Sequence, residues 1–82
     1  MNTKEIINII LEHVCEVIPE LKGYQFDSKD TLKKLGANSV DRSEILMMTM
    51  ESLSLKIPLV DVANARNIGD LANILYEELQ RN

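Results

Sequence analysis

The chain has 82 residues, 45% of them apolar and 27% charged, which suits one folded domain spanning 1–82 and excludes a disordered chain or two independent cores. A domain of this size buries roughly 60% of the surface its unfolded chain exposes, which leaves no volume for a deep, many-layered catalytic cleft. The net charge of −4 disfavours nucleic acid as a partner, because that affinity rests on clustered Lys and Arg.

A helix is expected from about Thr3 to Ile18, capped by Asn2, with Glu5 placed to complete a capping box. At 100° per residue Ile6, Ile7, Ile10, Leu11, Val14, Val17 and Ile18 fall in one arc, and Asn8, Glu12 and Glu16 lie outside it. Pro19 stops the helix. His13 and Cys15 stand two apart and so point to different faces, which gives them no means of working as a pair. Cys15 is the only cysteine, which excludes an internal disulfide and a Cys/His zinc set.

Residues 19–37 form a long connection, of the kind that is usually functional or carries a short helical turn. Leu21, Tyr24, Phe26, Leu32 and Leu35 are placed to pin it to the core. Its basic residues, Lys22, Lys29, Lys33 and Lys34, are too thinly spread to read as a nucleic-acid face. No apolar run approaches the roughly 18 residues a membrane span needs, and no signal-peptide pattern opens the chain. A cytoplasmic address without a membrane partner is the expectation.

The second helix is expected from about Ser39 to Leu53, capped by Asn38. Ile45, Leu46, Thr49 and Leu53 make its inward face, Val40, Met47 and Met50 extend the apolar arc, and Met48 lies almost opposite Leu46. A helix flanked by only two others cannot bury apolar groups all round. Either some methionines are exposed beside Ser39, on a surface suited to several partners, or they pack under the long loop. A brief helical turn is expected over Asp61–Ala65. The last helix begins near Ile68 under an Asn67 cap, with Asp70 in its first turn and Ile68, Leu71, Ala72, Leu75, Tyr76 and Leu79 along one side. Glu77 and Glu78 read as a solvated face. The whole is an all-α bundle of three main helices and one short one.

Ordinary catalysis finds no support in this pattern. The informative stretch is Leu35-Gly36-Ala37-Asn38-Ser39-Val40-Asp41. A glycine turn, a cap and a serine opening a helix place a hydroxyl where first-turn amides and the helix dipole favour an attached anion, such as a phosphodiester on Ser39. The same residues also read as a plain N-cap, since Asn and Ser are common there.

Gly36 to Asp41, the helix after it, Lys56-Ile57-Pro58 and Ile68-Gly69-Asp70-Leu71 together resemble the acyl carrier proteins, whose usual signature is Gly-x-Asp-Ser-Leu ahead of a recognition helix. The resemblance covers nearly the whole chain. Gly36 through Met48 looks most like the free-standing donor carriers of bacterial polyketide β-branching cassettes. It implies an acyl-carrier-like helical bundle that is not an enzyme. It also implies 4′-phosphopantetheine attached covalently to Ser39 by a phosphopantetheinyl transferase. Acyl groups would ride the arm as thioesters: malonyl from an acyltransferase, decarboxylated to acetyl by a ketosynthase-like enzyme. A synthase similar to hydroxymethylglutaryl-CoA synthase would then use the acetyl group to place a branch.

Two departures mark a specialised carrier: Asn38 stands where the family has aspartate, and Arg42 offsets Asp41, Glu44 and Glu51 on the second helix. Docking is expected to rest on Val40, Asp41, Arg42, Glu44, Met47, Met48 and Glu51, with rim charges setting discrimination and an apolar centre holding the complex. A monomer suits a part that visits several enzymes. The competing readings are a carrier of fatty acids, amino acids or peptides, and an unmodified helical adaptor.

Overall fold

Asn2 opens the first helix by a reciprocal cap: its side-chain oxygen accepts the Glu5 N–H at 2.8 Å, and the Glu5 carboxylate accepts the Asn2 N–H at 3.1 Å. The computed structural model describes residues 1–81 and contains four α-helices: α1 (Thr3–Val17), α2 (Ser39–Ser52), α3 (Leu59–Ala63) and α4 (Ile68–Arg81). No strand occurs among the described residues, and none of their helices is long and apolar enough to cross a membrane. The all-α bundle expected from the sequence is the fold. Ile18, expected as the last helical residue, is instead the C-cap, with φ −125° and ψ 82°. Pro19 sterically disfavours helical geometry in the residue before it.

α1 packs against both α2 and α4, and α3 bridges α2 and α4. The core is built from Ile6, Ile10 and Val14 of α1, Ile45 and Leu46 of α2, Val62 of α3, and Ile68, Leu71, Ala72 and Leu75 of α4. These positions repeat at helical spacing because only one stripe of each helix faces inward. Thr49 is fully buried but its hydroxyl donates to the Ile45 carbonyl at 2.8 Å, so no polar group is stranded.

The connection between α1 and α2 opens with a single 3-10 turn at Pro19–Leu21. It is tied across the start of α4: the Ser28 carbonyl accepts from Gly69 N–H at 2.8 Å and the Asp30 carbonyl from Ile68 N–H at 3.0 Å. Two otherwise unpaired N–H donors in the first turn of α4 are thereby satisfied, and the approach is close enough that a Cβ at Gly69 would lie 3.2 Å from the Ser28 backbone oxygen. Leu21, Phe26, Leu32 and Leu35 pack on the core as expected. Tyr24 does not; it is exposed and meets Phe26 edge-on with centroids 5.0 Å apart. Burial would strand its hydroxyl, and the edge contact keeps that end in water.

α3 starts two residues before the expected Asp61, at Leu59, and ends at Ala63. Pro58 sits at its N-cap with φ −58°, and Leu59 packs against the core while Val60 remains exposed. Past the Leu53 C-cap of α2, Ser54 has φ +55°, and the Ser54 and Leu55 N–H groups bond back to the Glu51 and Met50 carbonyls. That left-handed closing residue favours glycine, which has no Cβ to clash. Ser54→Gly is therefore expected to raise stability by about 0.5–1 kcal/mol in urea unfolding; an unchanged or lower midpoint would contradict the strain.

Candidate functional site

The approach to α2 is fixed residue by residue. Gly36, at φ +100°, makes the left-handed turn that a side chain would oppose. Ala37 is buried and held at both ends of its backbone: its N–H donates to the Leu32 carbonyl at 3.0 Å, and its carbonyl accepts from Arg42 Nη1 at 2.9 Å. Asn38 then caps α2, its side-chain oxygen accepting the Asp41 N–H at 2.8 Å, and the Asp41 carboxylate accepts the Asn38 N–H at 3.3 Å. Asn38→Ala is expected to cost about 1 kcal/mol, a fall in Tm of roughly 4–8 °C, measured by thermal circular dichroism. An unchanged Tm would show that the cap contributes nothing.

Ser39 follows as the first residue of α2 and is exposed. The side-chain hydrogen bonds around it run through Asn38, Asp41 and Arg42 and leave its hydroxyl uncommitted. It stands at the mouth of a cleft of about 520 Å³ between α2, α3 and the start of α4. The floor is apolar, formed by Leu46, Leu59, Val62, Ile68 and Leu71, while Thr31, Lys33, Ser39, Arg42, Ser43, Arg66 and Asn67 supply the polar lining. An exposed hydroxyl beside free helix N–H groups, next to a groove with an apolar floor, suits a covalently attached group that begins anionic and continues as a slender chain.

The residues expected to dock partners do not form one patch. Val40 is 71% exposed and Met47 59%, and Glu44 and Glu51 are exposed as well. Asp41 is half-buried and engaged in the capping box, a role the sequence reading had not given it. Arg42 is also half-buried; of the set it alone shares the cleft with Ser39. Met48 turns toward α1, where it lines a shallow pocket with His13, Glu51 and Ser52. Met50 joins the core, whereas Met47 faces outward with Glu51, Ser54, Leu55 and Lys56. Glu51 lies twelve positions beyond Ser39, about 18 Å along the helix axis. The cationic lining by Lys33 and Arg66 was not read from the sequence, because only the fold brings residues 33, 42 and 66 to one cleft.

A second polar cluster also went unread. His13 lies 3.0 Å from the Glu16 carboxylate through Nδ1 and 2.7 Å from Ser52 Oγ through Nε2. A carboxylate only accepts, so Nδ1–H donates to Glu16; Nε2 accepts the Ser52 hydroxyl proton when the ring is neutral and donates to Ser52 Oγ when it is protonated. The Ser-His-acid order is that of a hydrolase, but Ser52 is the last residue of α2, where carbonyls and the negative end of the dipole oppose an oxyanion. The cluster is a strut between α1 and α2. Cys15 faces a different groove, beside Leu11, Glu12 and Pro19, so it and His13 stay apart as their spacing predicts.

A family model described as "phosphopantetheine attachment site" matches residues 8–75. The chain is 46% identical over 80 residues to the polyketide biosynthesis acyl-carrier-protein AcpK of Bacillus subtilis (strain 168), covering 98% of each. It also superposes with a TM-score of 0.88 on a chain of the crystal structure of the curacin biosynthetic pathway HMG synthase in complex with acetyl donor-ACP. The identity there is 45%, over 92% of this chain and 96% of the other.

Proposed function

The chain belongs to the phosphopantetheine-attachment-site family of acyl carriers, and we propose that it is the acetyl-donor carrier of a polyketide β-branching cassette, with 4′-phosphopantetheine borne on Ser39. The observation that carries the proposal is the exposed, uncommitted Ser39 hydroxyl at the start of α2, in a chain whose likeness to an acetyl donor-ACP runs along 92% of its length. Residues 1–82 act as one carrier domain, which catalyses nothing itself and works as a monomer in the cytoplasm.

Ser39 Oγ attacks the β-phosphorus of coenzyme A in the active site of a phosphopantetheinyl transferase. The hydroxyl proton passes to a base of that enzyme, the Oγ–P bond forms, and the bond to the departing 3′,5′-ADP breaks. Exposure gives the hydroxyl access, and the cap at Asn38 and Asp41 fixes the turn that presents it. Once attached, the arm supplies a thiol that holds acyl groups as thioesters, with an effective concentration at each enzyme set by docking and tether length. An acyltransferase loads malonyl, a decarboxylating ketosynthase-like enzyme leaves acetyl, and an HMG-CoA-synthase-like enzyme takes it up. Val40, Met47, Glu44 and Glu51 present the exposed docking face.

The test is acetyl transfer. The protein loaded with acetyl-phosphopantetheine is mixed with an HMG-CoA-synthase-like enzyme and a β-ketoacyl carrier. Acetyl is expected to leave this protein, with a branched product appearing on the second carrier. Retention of acetyl, with chain extension on the arm by a fatty-acid ketosynthase, would overturn the donor role in favour of a fatty-acid carrier.

A further inference from the structure

Arg42 is out of place by ordinary surface rules. It is half-buried in an acidic protein, yet among the described residues no carboxylate lies within ion-pair distance of it; the ion pairs present join His13 to Glu16, Arg66 to Asp70 and Arg81 to Glu78. Its guanidinium donates from Nη1 to the Ala37 carbonyl at 2.9 Å. A guanidinium has five N–H donors in a fixed fork, so most of its capacity is left for something else. An anion arriving beside the guanidinium would therefore meet charge-assisted donors that no carboxylate of the described residues has taken.

The hydrogen bond to Ala37 also says where the charge sits. Long side chains in a helix lean toward its N-terminus, and Arg42 leans so far that it reaches a residue preceding Ser39. Residues three apart share a face, with Cβ atoms about 5–6 Å apart. The guanidinium thus lies at the same end of α2, and in the same cleft, as the Ser39 hydroxyl. Lys33 and Arg66 line that cleft too, but both are exposed, and Arg66 already contacts Asp70.

Resting on the attachment of the arm to Ser39, we propose that Arg42 is the built-in counter-ion of the phosphodiester there, and that this pairing lays the first part of the arm along the floor formed by Leu46 and Val62. Its bond to Ala37 holds the guanidinium ready before the arm arrives. Arg42 is then a positioning residue for the arm, separate from any contact it makes with a partner enzyme.

Two magnetic-resonance readouts on the isolated carrier test this. In the wild type, loading is expected to slow exchange of the Arg42 guanidinium protons by at least about tenfold, the factor a charge-assisted hydrogen bond confers. In Arg42→Gln, the phosphodiester 31P resonance is expected to shift from its wild-type position and contacts from the arm's methyl groups to Val62 to disappear, with Arg42→Lys restoring them in part. Unchanged guanidinium exchange on loading, or an identical 31P position in Arg42→Gln, overturns the pairing while leaving Ser39 as the attachment site. If a transferase does not load Arg42→Gln, the exchange comparison in the wild type decides alone. A wild type that gains no arm at Ser39 overturns the functional reading beneath it, and is recognised by its unchanged mass.

Discussion

Ser39→Ala stays folded and gains no mass when incubated with coenzyme A and a broad-specificity phosphopantetheinyl transferase, under conditions that convert the wild type completely. The expectation is all-or-none because the step forms an Oγ–P bond, and alanine offers no oxygen. The fold should not notice the change. Ser39 is exposed, and the hydrogen bonds that start α2 belong to Asn38 and Asp41. Surface substitutions of this kind fall within about 0.5 kcal/mol of neutral. Intact-protein mass reads the loading, and a thermal melt checks the fold. A modified alanine variant would mean that another side chain carries the arm.

Two substitutions two residues apart should separate folding from docking. Ile45→Ala removes a fully buried side chain from the centre of α2 and is expected to cost about 2–5 kcal/mol through lost transfer energy and the cavity left behind. A chain this long holds only about 4–12 kcal/mol in all, so urea unfolding should move sharply toward lower concentrations. Met47→Ala removes an exposed side chain and should leave that curve almost unmoved. If α2 is the docking helix, Met47→Ala raises KM with the HMG-CoA-synthase-like partner by about tenfold, the usual size of a central apolar contact at an interface. Equal effects of the two substitutions on stability, or an unaffected KM for Met47→Ala, would contradict the assignment of these faces.

Periodicity and capping made most of the bundle readable in advance. The α1 arc, the Asn2 and Asn38 caps and the inward side of α4 are local patterns, and each is visible in a window of a few turns. The short α3 was shifted by two residues because a five-residue helix has too little periodicity to fix its own start, and Pro58 decides it instead. Tyr24 was misplaced because its ring suggests a core anchor while its hydroxyl keeps it in water.

Ser39 itself was legible, since a glycine, a cap and a serine lie adjacent in sequence. Its cleft was not. Lys33, Arg42 and Arg66 come together only when the loop is tied over α4 by Ser28 and Asp30, and no local spacing records those bonds. For the same reason the strut of His13, Glu16 and Ser52 was missed: its partners are 39 residues apart. Met47 and Met50 looked equivalent on a helical wheel, and only the packing of neighbouring elements sent one out and the other in.

The most direct measurement is peptide mapping of the loaded wild-type protein. Trypsin cuts after Lys34 and Arg42 and releases Leu35–Arg42, a peptide whose single hydroxyl side chain is Ser39. The account predicts that this peptide carries one phosphopantetheine and that its unmodified form vanishes on full loading. An unmodified Leu35–Arg42 peptide from a fully loaded chain, with the arm found on another fragment, would contradict it.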